Sequence, residues 1–357
     1  MKNVLSNMLK FSFIILLSGC GTFGAKLLPK NQQSFNEAAS RSVDEQFLLN
    51  IVRLHYVDRP FFLRLVSINS QFSFDPSLTL GWSSAHGDTG ANVIKHGVEP
   101  SFSYRETPTL SYVPLEGRDY TEQVLEPMSV RQMYLLLRSG WSIARILRVC
   151  AQNIGAVENA LNSSRPISSH APTYKNFLTL VHYLRKLERE REMTISARRA
   201  GKKLILALIF KHRTPPLVNK LLHLAHPQKI LYLGQGQVKW SKPLIKMRLR
   251  SVLGIMHYLA KSVRTPIVDL EAGRVAKTYD KRGKLFAWAK VTNGMMSIYS
   301  SDKYPLGANV KVYYRGHWFY IADNDDDSKQ TISLFNQIYA LNSNDKTSNG
   351  PVLTLPI

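Results

Sequence analysis

The N-terminal segment decides which part of this chain has to fold. Lys2 and Lys10 precede the apolar run Phe11–Leu17, and the small residues Ser18 and Gly19 precede Cys20. A basic segment, a short apolar segment and small residues before a cleavage point are the anatomy of a signal peptide. The apolar run is far shorter than the roughly 20 residues that a membrane-spanning helix requires. We therefore predict that residues 1–19 are a signal peptide and that folding concerns residues 20–357.

The tetrapeptide Leu17-Ser18-Gly19-Cys20 has the form of a lipobox and resembles the leaders of bacterial lipoproteins. In such leaders the cysteine sulfur receives a diacylglyceryl group, cleavage occurs before the cysteine, and the new amino group is acylated. The resemblance implies a lipid anchor at Cys20, whose several acyl chains together hold a protein on a membrane. Gly21 stands where an Asp would signal retention in the inner membrane, which implies the periplasmic face of the outer membrane. A secretory signal with an incidental cysteine is the alternative interpretation.

Cysteine content and local composition indicate how the rest of the chain is organised. Cys20 and Cys150 are the only cysteines, and lipidation of the first leaves no pair for a disulfide, so a hydrophobic core has to stabilise the fold. The Ser- and Pro-rich stretch 162–172 is typical of a linker. We predict a tether at 20–33, an N-terminal α+β region at 34–161, a C-terminal α+β region at 173–345 and a docked apolar tail at 346–357.

Hydrophobic periodicity predicts an α+β fold of amphipathic helices packed with antiparallel strands and hairpins, because helices and strands do not alternate regularly. The last helix should place Phe335 and Ile338 on the hairpins that precede it. The predicted helices are Ser34–Tyr56, Tyr120–Leu125, Val130–Ser139, Ser142–Leu161, Phe177–Leu187, Leu217–Ala225, Ile245–Val263 and Ser328–Leu341. The predicted strands are Phe61–Phe74, Leu78–Trp82, Pro100–Tyr104, Thr109–Val113, Leu204–Phe210 and Ile230–Leu233, with a loop at 81–97 and two hairpins at 285–322 that turn at Asn293-Gly294 and Arg315-Gly316.

The chain is strongly basic, with a formal net charge of +22. Such an excess favours anionic partners, which in the predicted location are lipid or lipopolysaccharide phosphates, cell-wall carboxylates or an acidic protein. Nucleic acid is not an expected partner. A general contribution of the charge to solubility is the alternative, since basic proteins need not use their charge for binding.

Two clusters of cations are candidate sites for an anionic partner. The first is a basic segment before a predicted strand, and the second follows one stripe of the predicted helix Ile245–Val263, where a core helix with a solvated cationic edge is the alternative. The residues concerned are Arg198, Arg199, Lys202 and Lys203 in the first cluster, and Lys246, Arg250, Lys261 and Arg264 in the second.

Motifs for catalysis, metals or cofactors are not evident in the sequence. We find no Gly-x-Ser-x-Gly elbow, no His-Glu-x-x-His helix and no paired metal-ligand motif, so we predict no metal and no cofactor. The acidic run Asp323–Asp327 suggests calcium, but Ser328 replaces the turning Gly and Leu334 the chelating Glu of such a loop. Stabilisation of a helix N-terminus explains the run better. A hydrolase whose site is assembled from distant residues stays an alternative, because sequence motifs do not show such sites.

Several stretches together are similar to a group of outer-membrane lipoproteins from Gram-negative bacteria, to which no catalytic residues are assigned. The resemblance covers most of the mature chain and implies the location, but it implies no activity. Together with the charge, it leads us to expect an anchored envelope interaction or scaffold component, with a binding protein for an anionic envelope polymer as an alternative. The stretches are Asp44–Leu54, Leu110–Gly117, Arg138–Trp141, Tyr314–Ile321 and Pro351–Pro356.

Overall fold

The computed structural model describes residues 23–86, 92–166, 169–237, 239–343 and 353–356. Over these residues the protein has ten helices and three sheets of antiparallel or mixed strands, which confirms the predicted α+β class. A larger unit extends to Pro60 and resumes over Thr121–Asn344, and a smaller unit is formed by Phe61–Tyr120 and the residues from Asp345. The predicted linker at 162–172 therefore lies inside the larger unit. The predicted lipidation site, Cys20, lies outside the described residues.

The first helix, α1, spans Phe23–His55 and contains most of the predicted helix Ser34–Tyr56. Phe47, Leu48 and Ile51 are buried on one side of it, as the spacing of its apolar residues predicts. The helix begins inside the segment 20–33, which the sequence suggested was a tether. Aromatic contacts fix its second half, because the rings of Phe47 and Phe335 meet edge to face at 4.9 Å.

The smaller unit consists mainly of two long antiparallel strands, β1 (Leu63–His86) and β2 (Asn92–Pro114), followed by the short helix α2 (Gly117–Tyr120). Their register runs from Leu63↔Pro114 to His86↔Asn92, with a bulge between Leu65 and Ser67. The predicted strands in this region are confirmed, but the loop predicted at 81–97 is wrong, because both strands continue into it. The C-terminal strand Leu353–Pro356 pairs with β2.

The larger unit contains a six-stranded sheet and several helices, which are α3 (Val130–Arg138), α4 (Ile143–Cys150), β3 (Ala151–Ile154), β4 (Val157–Glu158), α5 (Lys175–Arg189), β5 (Met193–Ala200), β6 (Lys203–Phe210), α6 (Pro216–Leu222), β7 (Ile230–Gly234) and β8 (Leu244–Leu249). The order of the strands in the sheet is β4-β3-β8-β7-β6-β5, and only β7 and β8 are parallel. Its apolar helices are buried in this unit, where α4 packs against α5 and α3 against β6. The predicted helix Ser142–Leu161 is wrong beyond Cys150, because the chain continues as a strand.

The predicted helix Ile245–Val263 is wrong in its first part, because β8 occupies it and the helix α7 (Val252–Ala260) begins later. Ser251 is extended, with ψ 170°, and its side chain accepts a hydrogen bond from the backbone N–H of Gly254. This cap separates the two elements. Residues before Ser251 therefore alternate between the two faces of a strand and do not continue the helical stripe.

The hairpin predicted at Asn293-Gly294 is also wrong, because the short helix α9 (Ala289–Thr292) precedes this pair. Gly294 has φ +71°, which suits the residue after a helix as well as it suits a hairpin turn. The element α8 (Ile267–Glu271) precedes this region.

The second predicted hairpin is confirmed by the strands β10 (Ala308–Tyr314) and β11 (His317–Ala322), which pair antiparallel with a register shift between Ala308 and Val310. The short strand β9 (Tyr299–Ser301) pairs with the other edge of β11. Arg315 and Gly316 both have positive φ at the turn, as a two-residue hairpin requires. The helix α10 (Asp326–Asn342) follows, and Asp325 caps it by accepting a hydrogen bond from the N–H of Ser328. The interpretation of the acidic run as helix stabilisation is thereby confirmed.

Candidate functional site

A cavity of about 350 Å³ lies in the larger unit beside the C-terminal end of α7. Three cations, Lys261, Arg264 and Lys277, line it together with the aromatic side chains of Phe286 and Trp288. None of the described residues that line it is Asp or Glu. We call this cavity the Lys261 pocket. A concave group of cations without acids is suited to an anion.

The end of α7 brings Lys261 to the pocket. The helix is almost wholly buried, and Lys261, the residue at its C-cap, is partly buried and is followed by the buried residues Ser262 and Val263. A helix C-terminus carries partial negative charge, which favours a cation at this position. The N–H of Arg264 donates to the carbonyl of Ile298 at 2.8 Å, so the segment after the helix is held against the residues that precede β9.

Lys261 is the least hydrated of the three cations. Burial lowers the pKa of its amino group to about 8, because desolvation disfavours the charged form. Its Nζ lies 5.4 Å from the centroid of the Trp288 ring, and no ion pair joins it to a carboxylate within the part of the chain that the structure describes. An anion in the pocket would therefore supply the countercharge that this amino group lacks.

The aromatic side of the pocket is held in a fixed orientation. Trp288 Nε1 donates to Thr278 Oγ1 at 3.0 Å, and the rings of Phe286 and Trp288 meet edge to face at 5.3 Å. The guanidinium of Arg264, which also lines the pocket, lies 4.2 Å from the centroid of the Tyr299 ring. These contacts restrict both the apolar and the cationic walls before any ligand binds, which reduces the entropy that binding has to overcome.

His55 connects α1 to the pocket. Its Nδ1 lies 3.1 Å from the carbonyl oxygen of Ala260, which can only accept, so Nδ1 donates and Nε2 accepts from Thr265 Oγ1 at 2.7 Å. Burial and the charge of Lys261 lower the pKa of His55 to about 4. A hydroxyl next to an imidazole is the start of a nucleophile–base pair, but a carbonyl in place of a carboxylate and a nearby cation make this imidazole a weak base. The contacts position Thr265 in the wall of the pocket.

The eight cations singled out in the sequence occupy different places in the structure. Lys261 and Arg264 come together in the pocket, whereas Lys246 is exposed on β8. Arg250 has no exposed surface. Its guanidinium donates to the carbonyls of Arg148, Val149 and Ala151 at 2.7 to 3.0 Å and to that of Asn159 at 2.7 Å. Arg250 therefore cannot meet an anionic partner, and the prediction that included it followed from extending the helical stripe across Ser251.

The other predicted cluster lies at the tip of the β5–β6 hairpin, where Ala200 pairs with Lys203 around Gly201 and Lys202. Arg198, Arg199, Lys202 and Lys203 are all exposed. Adjacent residues of a strand face opposite sides, so Arg198 and Arg199 do not share one surface. We call these four residues the cationic tip, which is an open group of charges without an enclosing wall.

A second polar cluster, absent from the sequence predictions, surrounds Asp269 in α8. Asp269 is buried and accepts hydrogen bonds from the hydroxyl of Tyr56 and, at 2.6 Å, from Arg274 Nη1. Burial opposes its ionisation, but these two donors outweigh burial and hold the pKa of Asp269 below its usual value. His317 Nε2 lies 4.0 Å from the same carboxylate and its Nδ1 lies 2.6 Å from Asp302. The cluster satisfies its own charges and ties α8 to the end of α1 and to β11.

The other hollows of the larger unit and a search for metal-ligand clusters bear on the choice of site. A more open hollow of about 800 Å³ lies beside α1 and β10, but two acids, Glu37 and Asp44, line it together with one cation, Arg41. Over the described residues, no group of three or more His, Cys, Asp or Glu side chains is placed to hold a metal ion. Two other hollows are also lined by cations without acids, but the cations of one, Arg145 and Arg185, pair with carboxylates, and those of the other are exposed. The Lys261 pocket is the candidate site because Lys261 is a partly buried cation with no carboxylate partner among the described residues.

Comparison of the chain with protein-family models, with curated proteins and with solved structures gave no match. In the part of the chain that the structure describes, no helix combines the length and the apolar character needed to cross a membrane. The Lys261 pocket is therefore the observation that bears most directly on function.

Proposed function

We propose that the protein is an envelope interaction component, anchored to the outer membrane through lipidated Cys20, which binds an anionic group of another envelope component in the Lys261 pocket. The observation that carries this proposal is the composition of the pocket: three cations, two aromatic side chains and no acid among the described residues that line it. The leader and the basic composition of the chain support the location and the sign of the partner's charge.

Burial makes the pocket more selective for an anion than exposed cations are. Exposed charges interact through water and salt, so each pair contributes little. Lys261 has lost much of its hydration, as its lowered pKa indicates, and a carboxylate or phosphate beside it would replace that hydration in a setting of lower dielectric. The binding energy should therefore depend on Lys261 more than on any exposed lysine.

Two other functions, a hydrolase and a scaffold held through apolar helices, have weaker support, whereas the remaining alternative from the sequence, a binding protein for an anionic envelope polymer, is compatible with this pocket. A hydrolase would need a base beside Thr265, and the pKa of His55, about 4, makes it a poor one near neutral pH. A scaffold held through the apolar helices α3 and α4 would need exposed apolar surface, whereas Met133, Leu136 and Ile146 are buried in the larger unit.

The proposal is tested by titrating the mature chain, with Cys20→Ser to prevent acylation, with inorganic phosphate and acetate. Calorimetry at pH 6.5, where Lys261 is mostly charged, should show saturable binding that Lys261→Met abolishes. The matched control is Lys281→Met, which removes the same charge from an exposed residue that does not line the pocket. Equal affinities for all three proteins, or no binding by any of them, would contradict the proposal.

A further inference from the structure

We infer that the anionic group recognised by the Lys261 pocket is carried on a sugar ring, so that the ligand is an acidic sugar unit of an envelope polymer. The inference rests on the proposed function and names its ligand class. It follows from the combination of aromatic, polar and cationic groups on the walls of the same cavity.

The aromatic wall is suited to a sugar. A pyranose ring has a face of C–H groups that packs on aromatic and aliphatic side chains, while its hydroxyls point outward along the ring plane. Phe286 and Trp288 are half-buried, and the hydrogen bond to Thr278 fixes the Trp288 ring. Leu285 also lines the pocket and is 53 % exposed. A bare inorganic anion has no apolar surface to place on these three side chains.

The remaining groups of the pocket match the polar atoms of such a ligand. Asn293 and Ser297 line it with an amide and a hydroxyl, which can donate to and accept from sugar hydroxyls. Lys261 and Lys277 are partly buried and Arg264 is exposed, so both partly buried and exposed cations are available to bind the carboxylate or phosphate of the sugar. A neutral sugar would leave these cations without a countercharge.

The size of the cavity limits how much of a polymer it can take. Its volume of about 350 Å³ lies at the lower end of the roughly 300 to 1,000 Å³ typical of small-molecule sites. A single ring with its acidic substituent fits this volume better than a long segment of chain does. The pocket is thus suited to a terminal or branching acidic sugar.

The experiment compares matched sugars by calorimetry with the Cys20→Ser protein at pH 6.5. The acidic probes are glucuronate and N-acetylmuramate, their neutral counterparts are glucose and N-acetylglucosamine, and inorganic phosphate measures anion binding alone. At least one acidic sugar should bind about tenfold more tightly than both phosphate and its neutral counterpart. Trp288→Leu should remove this advantage by weakening acidic-sugar binding several-fold more than phosphate binding, because phosphate has no ring face to place on the indole, whereas Trp141→Leu, outside the pocket, should change neither affinity.

The outcomes separate this inference from the proposed function. If phosphate binds but neither acidic sugar binds more tightly, the inference is overturned and the proposed function stands. If no anion binds, both are overturned. Neutral sugars that bind as tightly as the acidic ones also overturn the inference. If Trp288→Leu does not fold, Leu285→Ser at an exposed position decides the matter: it should weaken acidic-sugar binding several-fold more than phosphate binding, and equal effects on the two ligands, or no effect on the sugar, overturn the inference.

Discussion

The Lys261 pocket and the cationic tip carry similar charge but differ in enclosure. The tip presents Arg198, Arg199, Lys202 and Lys203 on an open hairpin, whereas the pocket places Lys261 in a cavity against Trp288. Charges on the tip are screened over about 8 to 10 Å at physiological salt, while a partly desolvated cation is screened less. A cluster of basic residues in a sequence therefore indicates charge density, and only enclosure turns that density into a specific site.

Arg250 adds a third situation to this comparison, that of a cation enclosed completely. Its burial lowers its pKa to about 10, and backbone carbonyls occupy its donors. Enclosure without free space produces a structural contact, and enclosure beside a cavity produces a binding group. Substitution of each cation shows whether it makes a structural contact or binds a ligand.

The comparison of pocket and tip has biological meaning only if both regions face the envelope. We expect labelled palmitate to enter the wild-type protein and not Cys20→Ser, because Cys20 is the predicted acceptor of the lipid. Incorporation is measured on the protein immunoprecipitated from cells grown with the label. Full labelling of the variant would contradict the anchor.

Arg250→Met should lower the free energy of unfolding by roughly 3 kcal/mol or more, because it leaves buried carbonyls without their donors. Urea denaturation measures the change. The matched control is Arg248→Met, an exposed residue of β8 two positions before Arg250, for which a change within about 0.5 kcal/mol is expected. Equal effects of the two substitutions would mean that Arg250 is not the structural contact described here.

Anion binding to the pocket should weaken as pH rises through about 8, the pKa of Lys261. Below this pH the amino group is charged and attracts the anion, and above it the neutral form predominates. The affinity for phosphate, corrected for the ionisation of phosphate itself, should fall about tenfold between pH 7 and pH 9. Lys261→Arg keeps its charge over this range, so its affinity should change little. A parallel loss in both proteins would exclude Lys261 as the titrating group.

The cationic tip should contribute only to binding of extended anionic surfaces. Lys202→Gln should weaken co-sedimentation with phosphatidylglycerol vesicles about fivefold at low salt, and the difference should disappear at high salt. Phosphate binding in the pocket should not change. If Lys202→Gln affects phosphate binding as strongly as Lys261→Met does, pocket and tip are not distinct.

Local patterns in the sequence predict much of the secondary structure. The core of α1 follows from the spacing of Phe47 and Ile51, and the hairpin at Arg315-Gly316 follows from alternation on both sides of a glycine turn. The errors arise where one local pattern fits two structures. Asn293-Gly294 suits a hairpin turn or a helix end, and the residues from Ile245 to Arg250 fit a short strand as well as a helix. Tertiary packing decides between them.

The pocket is predicted only in part by the sequence. Lys261 and Arg264 belong to a predicted cationic cluster. Lys246 and Arg250 were grouped with them by a helical period that does not extend before Ser251, because the helix begins after this residue. His55, Lys277 and Trp288 were missed, because they come from distant positions and each is unremarkable in its own segment. A lysine at the end of a very apolar helix was the available signal, since its buried neighbours Ala260 and Ser262 keep such a cation partly buried.

The central claim is that Lys261 is a partly desolvated amine and that a bound anion stabilises its charged form. Direct titration of this amine tests the claim. The protein with Cys20→Ser is labelled with ¹³C-lysine, and the Lys261 resonance is assigned by its loss in Lys261→Arg. We predict a midpoint near pH 8 for the free protein and a rise towards the ordinary lysine value of roughly 10.4 when phosphate or an acidic sugar is present. A midpoint that does not move on addition of either anion would contradict the account.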